Sequence, residues 1–209
     1  METGVFKIVV LIFSIVVHEC AHGWMALRCG DPTAKFLGRL TLNPIPHLDP
    51  IGSVILPLFL FLSGSSFLIG WAKPVPVNPR NFNNPGFDNV KVSGIGPLSN
   101  ILLAFAFTFL AIISRNILHN NMLYLLCGFG IQINLILALF NILPLSPLDG
   151  SHILEYYIPS DIKTIYNRIQ VAGPIILLIL IITGLLWTIL WPPYYYLFDK
   201  FLGIIEVFT

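Results

Sequence analysis

The chain has 209 residues, of which 56% are hydrophobic and only 10% charged, against roughly 25% charged in a soluble domain. With a mean hydropathy of +0.84 this excludes a water-soluble globule and places the chain in a lipid bilayer. A net charge of +1 gives no basis for binding nucleic acid, and three cysteines (Cys20, Cys29 and Cys127) give no disulfide framework and read as packing residues.

The first apolar stretch, Val5 to Val17, continues through His18-Glu19-Cys20-Ala21-His22 to Leu27. Lys7 before an apolar run resembles the start of a signal peptide, but no small-residue cleavage pattern follows. The pentapeptide matches H-E-x-x-H, which random shuffling of this composition would produce about 0.002 times per chain. On a helix the two histidines stand at i and i+4 and aim both imidazoles at one spot, with Glu19 beside them. A single histidine in an apolar helix is usually a hydrogen-bonded structural residue. Three ionisable groups within five residues of a membrane helix are different, because each costs about 2.5–3.5 kcal/mol at mid-span. Zinc accounts for all three: neutral imidazoles bind Zn²⁺, the ion acidifies water toward a pKa of about 7, and Glu19 can take the proton.

Further along, Thr33 to Leu42 and Trp71 to Val77 read as short strands flanking the apolar segment Pro50 to Ala72, with Pro74 and Pro76 restricting the second to an edge. Val92 to Ser114 and Met122 to Leu143 are long enough to cross a bilayer. Asp149 ends the apolar run from Met122 to Leu148, after Pro144 and Pro147 and before the turn-forming Gly150. A catalytic zinc wants three protein ligands, and Asp31, Asp88, Asp161, Asp199, Glu155 and Glu206 read as loop or tail residues, which leaves Asp149 as the candidate third ligand or as a helix cap. Ile153 to Gln170 reads as a surface segment, Val171 to Trp191 as a fourth span, and Tyr194 to Phe208 as an interfacial helix or partial fifth.

These residues resemble the site-2 protease family of intramembrane metalloproteases, the M50 peptidases. Its H-E-x-x-H pairs with a later N-x-x-P-x-x-x-x-D-G, here Asn141, Pro144, Asp149 and Gly150, and a G-x-x-x-N element stands at Gly96 to Asn100. The resemblance implies one Zn²⁺ held by His18, His22 and Asp149, with Glu19 as general base and Asn100 and Asn141 as supporting or substrate-positioning groups. Gly38 to Gly52 looks like the compact bacterial branch, in which His47 and Asp49 could touch the active site or lie in a capped loop. Where many relatives carry Asp-Gly-Gly-Arg, this chain has Asp149-Gly150-Ser151-His152. The PDZ or CBS domains of larger members have no room, so the expectation is one membrane-embedded domain over 1–209, with a catalytic core of about 5–152 and C-terminal helices over 153–209.

If His22 and Asp149 share a metal they lie at one depth, so Pro50 to Ala72 must dip into the bilayer and return, with Ser63 to Ser66 at its tip. On that topology the active-site side carries eight of the eleven Lys and Arg residues, and the positive-inside rule makes it cytoplasmic. The expected fold is a mainly α-helical polytopic bundle with a re-entrant segment and a small β element. The expected activity is zinc endopeptidase cleavage of transmembrane or membrane-associated proteins, with an unwound substrate segment added to a strand edge. A metal transporter would bring polar residues along several spans or inverted repeats, and neither is visible. A non-catalytic relative need not keep Glu19. A metal-dependent hydrolase acting on lipid stays open as an alternative, with only the family resemblance arguing for peptide, and the sequence carries no signal of oligomeric state.

Overall fold

The computed structural model describes residues 2–55, 59 and 72–208. Helix α1 spans Glu2–Arg28 and carries the H-E-x-x-H motif in its C-terminal half. The following residues do not continue as the expected strand. Asp31 accepts hydrogen bonds from the backbone N–H (3.1 Å) and hydroxyl (2.5 Å) of Thr33, a local turn that starts the single helical turn α2, Thr33–Phe36. Residues 73–78 have no ladder either, as Pro74 and Pro76 lack the N–H groups one would need. Among the described residues there is no strand, only an isolated antiparallel bridge between Leu48 and Ala72. The expected hairpin tip at Ser63 to Ser66 lies outside the described residues, but that bridge brings the two flanks of the segment together.

Helices α3 (Pro85–Asn116) and α4 (Asn121–Asn141) form a hairpin whose turn is closed by Asn120, its side chain capping Leu123 N–H at 3.0 Å and its carbonyl accepting from Ser114 Oγ at 2.8 Å. α1, α3 and α4 are each long and apolar enough to cross a membrane. Their packing relies on small residues: Ala104 and Ala111 of α3 sit fully buried against Cys127, Ile131 and Leu135 of α4. Large apolar side chains such as Val9, Phe105, Phe109 and Leu125 face outward, as lipid requires.

The chain then turns through Pro144 and Pro147 into α5 (Asp149–Tyr157), followed by α6 (Ser160–Val171), α7 (Gly173–Ile182) and α8 (Leu185–Val207). The expected single span from Val171 to Trp191 is not formed. α6 and α7 meet at a 58° bend, and α7 ends at Ile182, shortly before Gly184, whose φ of 77° interrupts the helical run. α6 and α7 together could make one further crossing, giving three or up to four among the described residues. α8 continues past Pro192 and Pro193 and buries Tyr194, Phe201 and Ile205 in the α3–α4 core, so the C-terminal segment is part of the bundle.

Candidate metal centre

α1 and α3 pack antiparallel, and one stripe of α3 is built to receive the two histidines. Val92, Gly96 and Asn100 recur every four residues and so share a helix face. The Val92 carbonyl accepts a hydrogen bond from His22 Nδ1 at 2.6 Å, and Asn100 Oδ1 accepts one from His18 Nδ1 at 2.7 Å. Between them Gly96 leaves the room the rings need: a Cβ there would fall 2.5 Å from His22 Cε1 and 2.6 Å from His18 Cε1. The G-x-x-x-N element is thus a gap and a hydrogen-bond acceptor at the spacing of the facing imidazoles.

In neutral rings, donation from Nδ1 leaves both Nε2 atoms with a lone pair. They stand 3.0 Å apart, and each is 3.3 Å from Asp149 Oδ2, the first residue of α5. Gly150 makes this position reachable, because any side chain there would collide with the Ile142 and Leu143 carbonyls. The side chains of His18, His22 and Asp149 expose only 9%, 12% and 17% of their surface, which leaves little water to separate them. Three acceptors converge with no donor among the neutral rings, an arrangement that repels itself unless a cation sits between them. Ligands about 2.0–2.1 Å from a tetrahedral zinc are about 3.3 Å from one another, so the spacing fits that ion.

Glu19 faces the chain that crosses over α1. Its Oε2 accepts the Val75 backbone N–H at 2.8 Å, which fixes the carboxylate. Residues 73–78 are held there by Lys73 N–H donating to His47 O at 2.9 Å, by Arg39 Nη2 donating to the Lys73 and Pro74 carbonyls, and by Asn78 N–H donating to Asp31 Oδ2 at 2.6 Å. His47 is buried, but its ring Nε2 lies 2.9 Å from the Thr41 carbonyl and 3.8 Å from Cys20 Sγ rather than against the three ligand candidates. Asn141 donates to Leu137 O of its own helix. The structure therefore brings together His18, His22, Asp149 and Asn100, sets Glu19 beside them under Val75, and leaves His47 and Asn141 in bracing contacts.

Asp31, which reads from sequence as a loop carboxylate, is fully buried. Burial would raise its pKa, but the N–H groups of Asn78, Thr33 and Asn81 and the Thr33 hydroxyl outweigh that and hold it below the usual carboxylate range. A depressed folded pKa stabilises the fold fully above the unfolded value of about 3.9 and ceases to do so as pH falls through the folded one. The melting temperature of the native protein should therefore exceed that of Asp31→Asn at pH 6. The gap should narrow steadily below about pH 4, and a constant gap across that window would show that the carboxylate charge plays no part.

Three groups that could hold a metal ion, two on a helix long and apolar enough to cross a membrane and one at a helix start, fit the class of membrane metalloenzymes. Residues 110–183 match the sequence model described as "Peptidase family M50". "Putative zinc metalloprotease YwhC" of Bacillus subtilis is 40% identical over 197 residues, covering 90% of this chain and 84% of that protein. "Putative zinc metalloprotease Rip2" of Mycolicibacterium smegmatis is 27% identical over 198 residues, covering 94% and 74%. No solved structure matches. The chain belongs to peptidase family M50. It is an intramembrane zinc metalloendopeptidase, and its metal is Zn²⁺.

Proposed function

We propose that His18, His22 and Asp149 hold the zinc, that Glu19 is the general base, and that the substrate is a transmembrane or membrane-associated protein cut on the cytoplasmic side of the cell membrane. The observation that carries the ligand assignment is the convergence of His18 Nε2, His22 Nε2 and Asp149 Oδ2 within about one zinc coordination sphere. Bound zinc supplies Lewis acidity to the attacking water and to the scissile carbonyl. Glu19 takes a proton from the water and returns it to the leaving amine, so the C–N bond breaks without expelling an amide anion. Asn100 and the Val92 carbonyl keep the rings aimed. Val75 N–H fixes the position of the Glu19 carboxylate. Asn141 and His47 act at one remove: Asn141 on the helix end before the Asp149 turn, His47 through the strap over Glu19.

Asp149→Ala should lose zinc by more than about tenfold in affinity together with activity. Full zinc occupancy in that variant would transfer the third ligand to another group.

The whole of 1–209 acts as one domain on this reading, with α8 part of the same core as α3 and α4. The flanks of the apolar segment lie together, Leu48 bridged to Ala72 and Asn81 Nδ2 reaching Asp31 Oδ1 at 2.8 Å beyond the end of α1, which supports Lys35 and Arg80 sharing one side of the bilayer. Single cysteines replacing Lys35 and Arg80 in a cysteine-free background should both react with an impermeant thiol reagent from the cytoplasmic side. Labelling from opposite sides would make the segment a single crossing.

A further inference from the structure

Beyond the ligands and the base lies a polar chain buried between α1, α3 and α4. Asn100 Nδ2 donates to Asn134 Oδ1 at 2.9 Å, and Asn134 Nδ2 donates to Ser14 Oγ and to the Gly130 carbonyl, both at 2.8 Å. Ser14 Oγ in turn donates to the Val10 carbonyl at 2.9 Å. Ser14, Asn100 and Asn134 are all 0% exposed. In an apolar interior no water can substitute for a misdirected bond.

The direction of this chain is set at its far end. A backbone carbonyl only accepts, so Gly130 O requires Asn134 to turn its NH₂ toward it, and Val10 O requires Ser14 to spend its hydroxyl proton, leaving Ser14 Oγ as an acceptor for the same NH₂. Asn134 must then show its carbonyl oxygen to Asn100. Asn100 must answer with its NH₂, which leaves its own oxygen for His18 Nδ1. We infer that Asn134 and Ser14 are positioning residues that, through Asn100, fix the proton of His18 on Nδ1 and so keep Nε2 open for zinc. His22 needs no such relay, because the Val92 carbonyl dictates its tautomer directly. The inference rests on His18 being a zinc ligand.

Two measurements test it on the full-length protein in detergent. The first is ¹⁵N NMR of histidine-labelled, metal-free native protein, with His18 assigned by its absence in His18→Ala. The expected result is a proton on Nδ1, and an Nε2–H ring in the native protein would overturn the relay irrespective of any variant. The second is zinc affinity by chelator competition. Asn134→Leu removes the nearer of the two acceptors that orient Asn100 and leaves only the Ser14 carbonyl at 3.5 Å, so Asn100 can reverse, and affinity should fall by about 10- to 100-fold with His18 moving to Nε2–H while His22 stays unchanged. Asn134→Asp is the rescue, because a carboxyl in this apolar interior stays protonated and offers both a carbonyl to Asn100 and a hydroxyl toward Ser14. It should bind zinc within about threefold of the native protein, whereas Ser14→Ala, with Gly130 still orienting Asn134, should lose only about threefold to tenfold. Native affinity in Asn134→Leu, or equal losses in the Leu and Asp variants, would reduce the chain to a structural contact. Retention of zinc by His18→Ala would instead remove the ligand assignment, while loss of zinc there with no effect of Asn134→Leu would remove only the relay.

Discussion

Glu19→Gln should leave zinc bound at about one ion per chain and lower the peptidase rate by about 10²–10⁴-fold or more. The side chain is nearly isosteric, and Val75 N–H, now donating to an amide oxygen at the position of Oε2, can hold it in place. What disappears is the basicity that takes the proton from water and returns it to the leaving nitrogen. Because Glu19 is absent from the convergent set of His18, His22 and Asp149, metal content and activity should separate cleanly in this variant. Zinc measured by atomic absorption on purified protein, alongside cleavage of a panel of single-span membrane substrates, decides the matter. Loss of metal in Glu19→Gln would make the carboxylate a ligand.

Gly96→Ala should do the reverse, removing zinc through a residue that carries no chemistry at all. A methyl group at Gly96 would stand within 2.6 Å of ring carbons on both histidines, far inside van der Waals contact. The rings have nowhere to retreat, since His18 is tied by Nδ1 to Asn100 and His22 to Val92, both on the same helix as the new methyl. At least one ring must break its Nδ1 bond and swing away, and the ligand set is lost. Zinc affinity should fall by more than about tenfold, with helix content by circular dichroism unchanged, because alanine is a better helix former than glycine by about 1 kcal/mol. A Gly96→Ala protein with native zinc affinity would show that α1 and α3 stand farther apart than the structure has them.

How much of this was legible in the sequence follows from the range of each interaction. The H-E-x-x-H motif is a local pattern, since four residues of one helix set two imidazoles on one face whatever surrounds them, and the long apolar runs are set by bilayer thickness alone. The membrane class, the helices α1, α3 and α4, and the His18–Glu19–His22 constellation therefore came from the chain directly, and Asp149 came as a candidate because it ends an apolar run at a proline-broken turn. The failures share the opposite cause. Thr33 to Leu42 looks extended by composition, but the Asp31 carboxylate, buried by contacts with Asn78 and Asn81 some fifty residues away, turns its first residues into a helical turn. The apolar residues from Val171 to Trp191 would suit one span, yet Gly184 at φ 77° and the bend between α6 and α7 divide them.

Residue type and helical spacing need no partner, and they were enough to mark which groups could bind a metal and in what solvent. What holds those groups still emerged with the folded chain: the Val92 carbonyl, the gap at Gly96, the Val75 N–H on Glu19, and the buried line from Ser14 through Asn134 to Asn100. Each is a backbone atom, an absent side chain or an amide whose orientation depends on residues up to 120 positions distant, and no local pattern encodes such contacts.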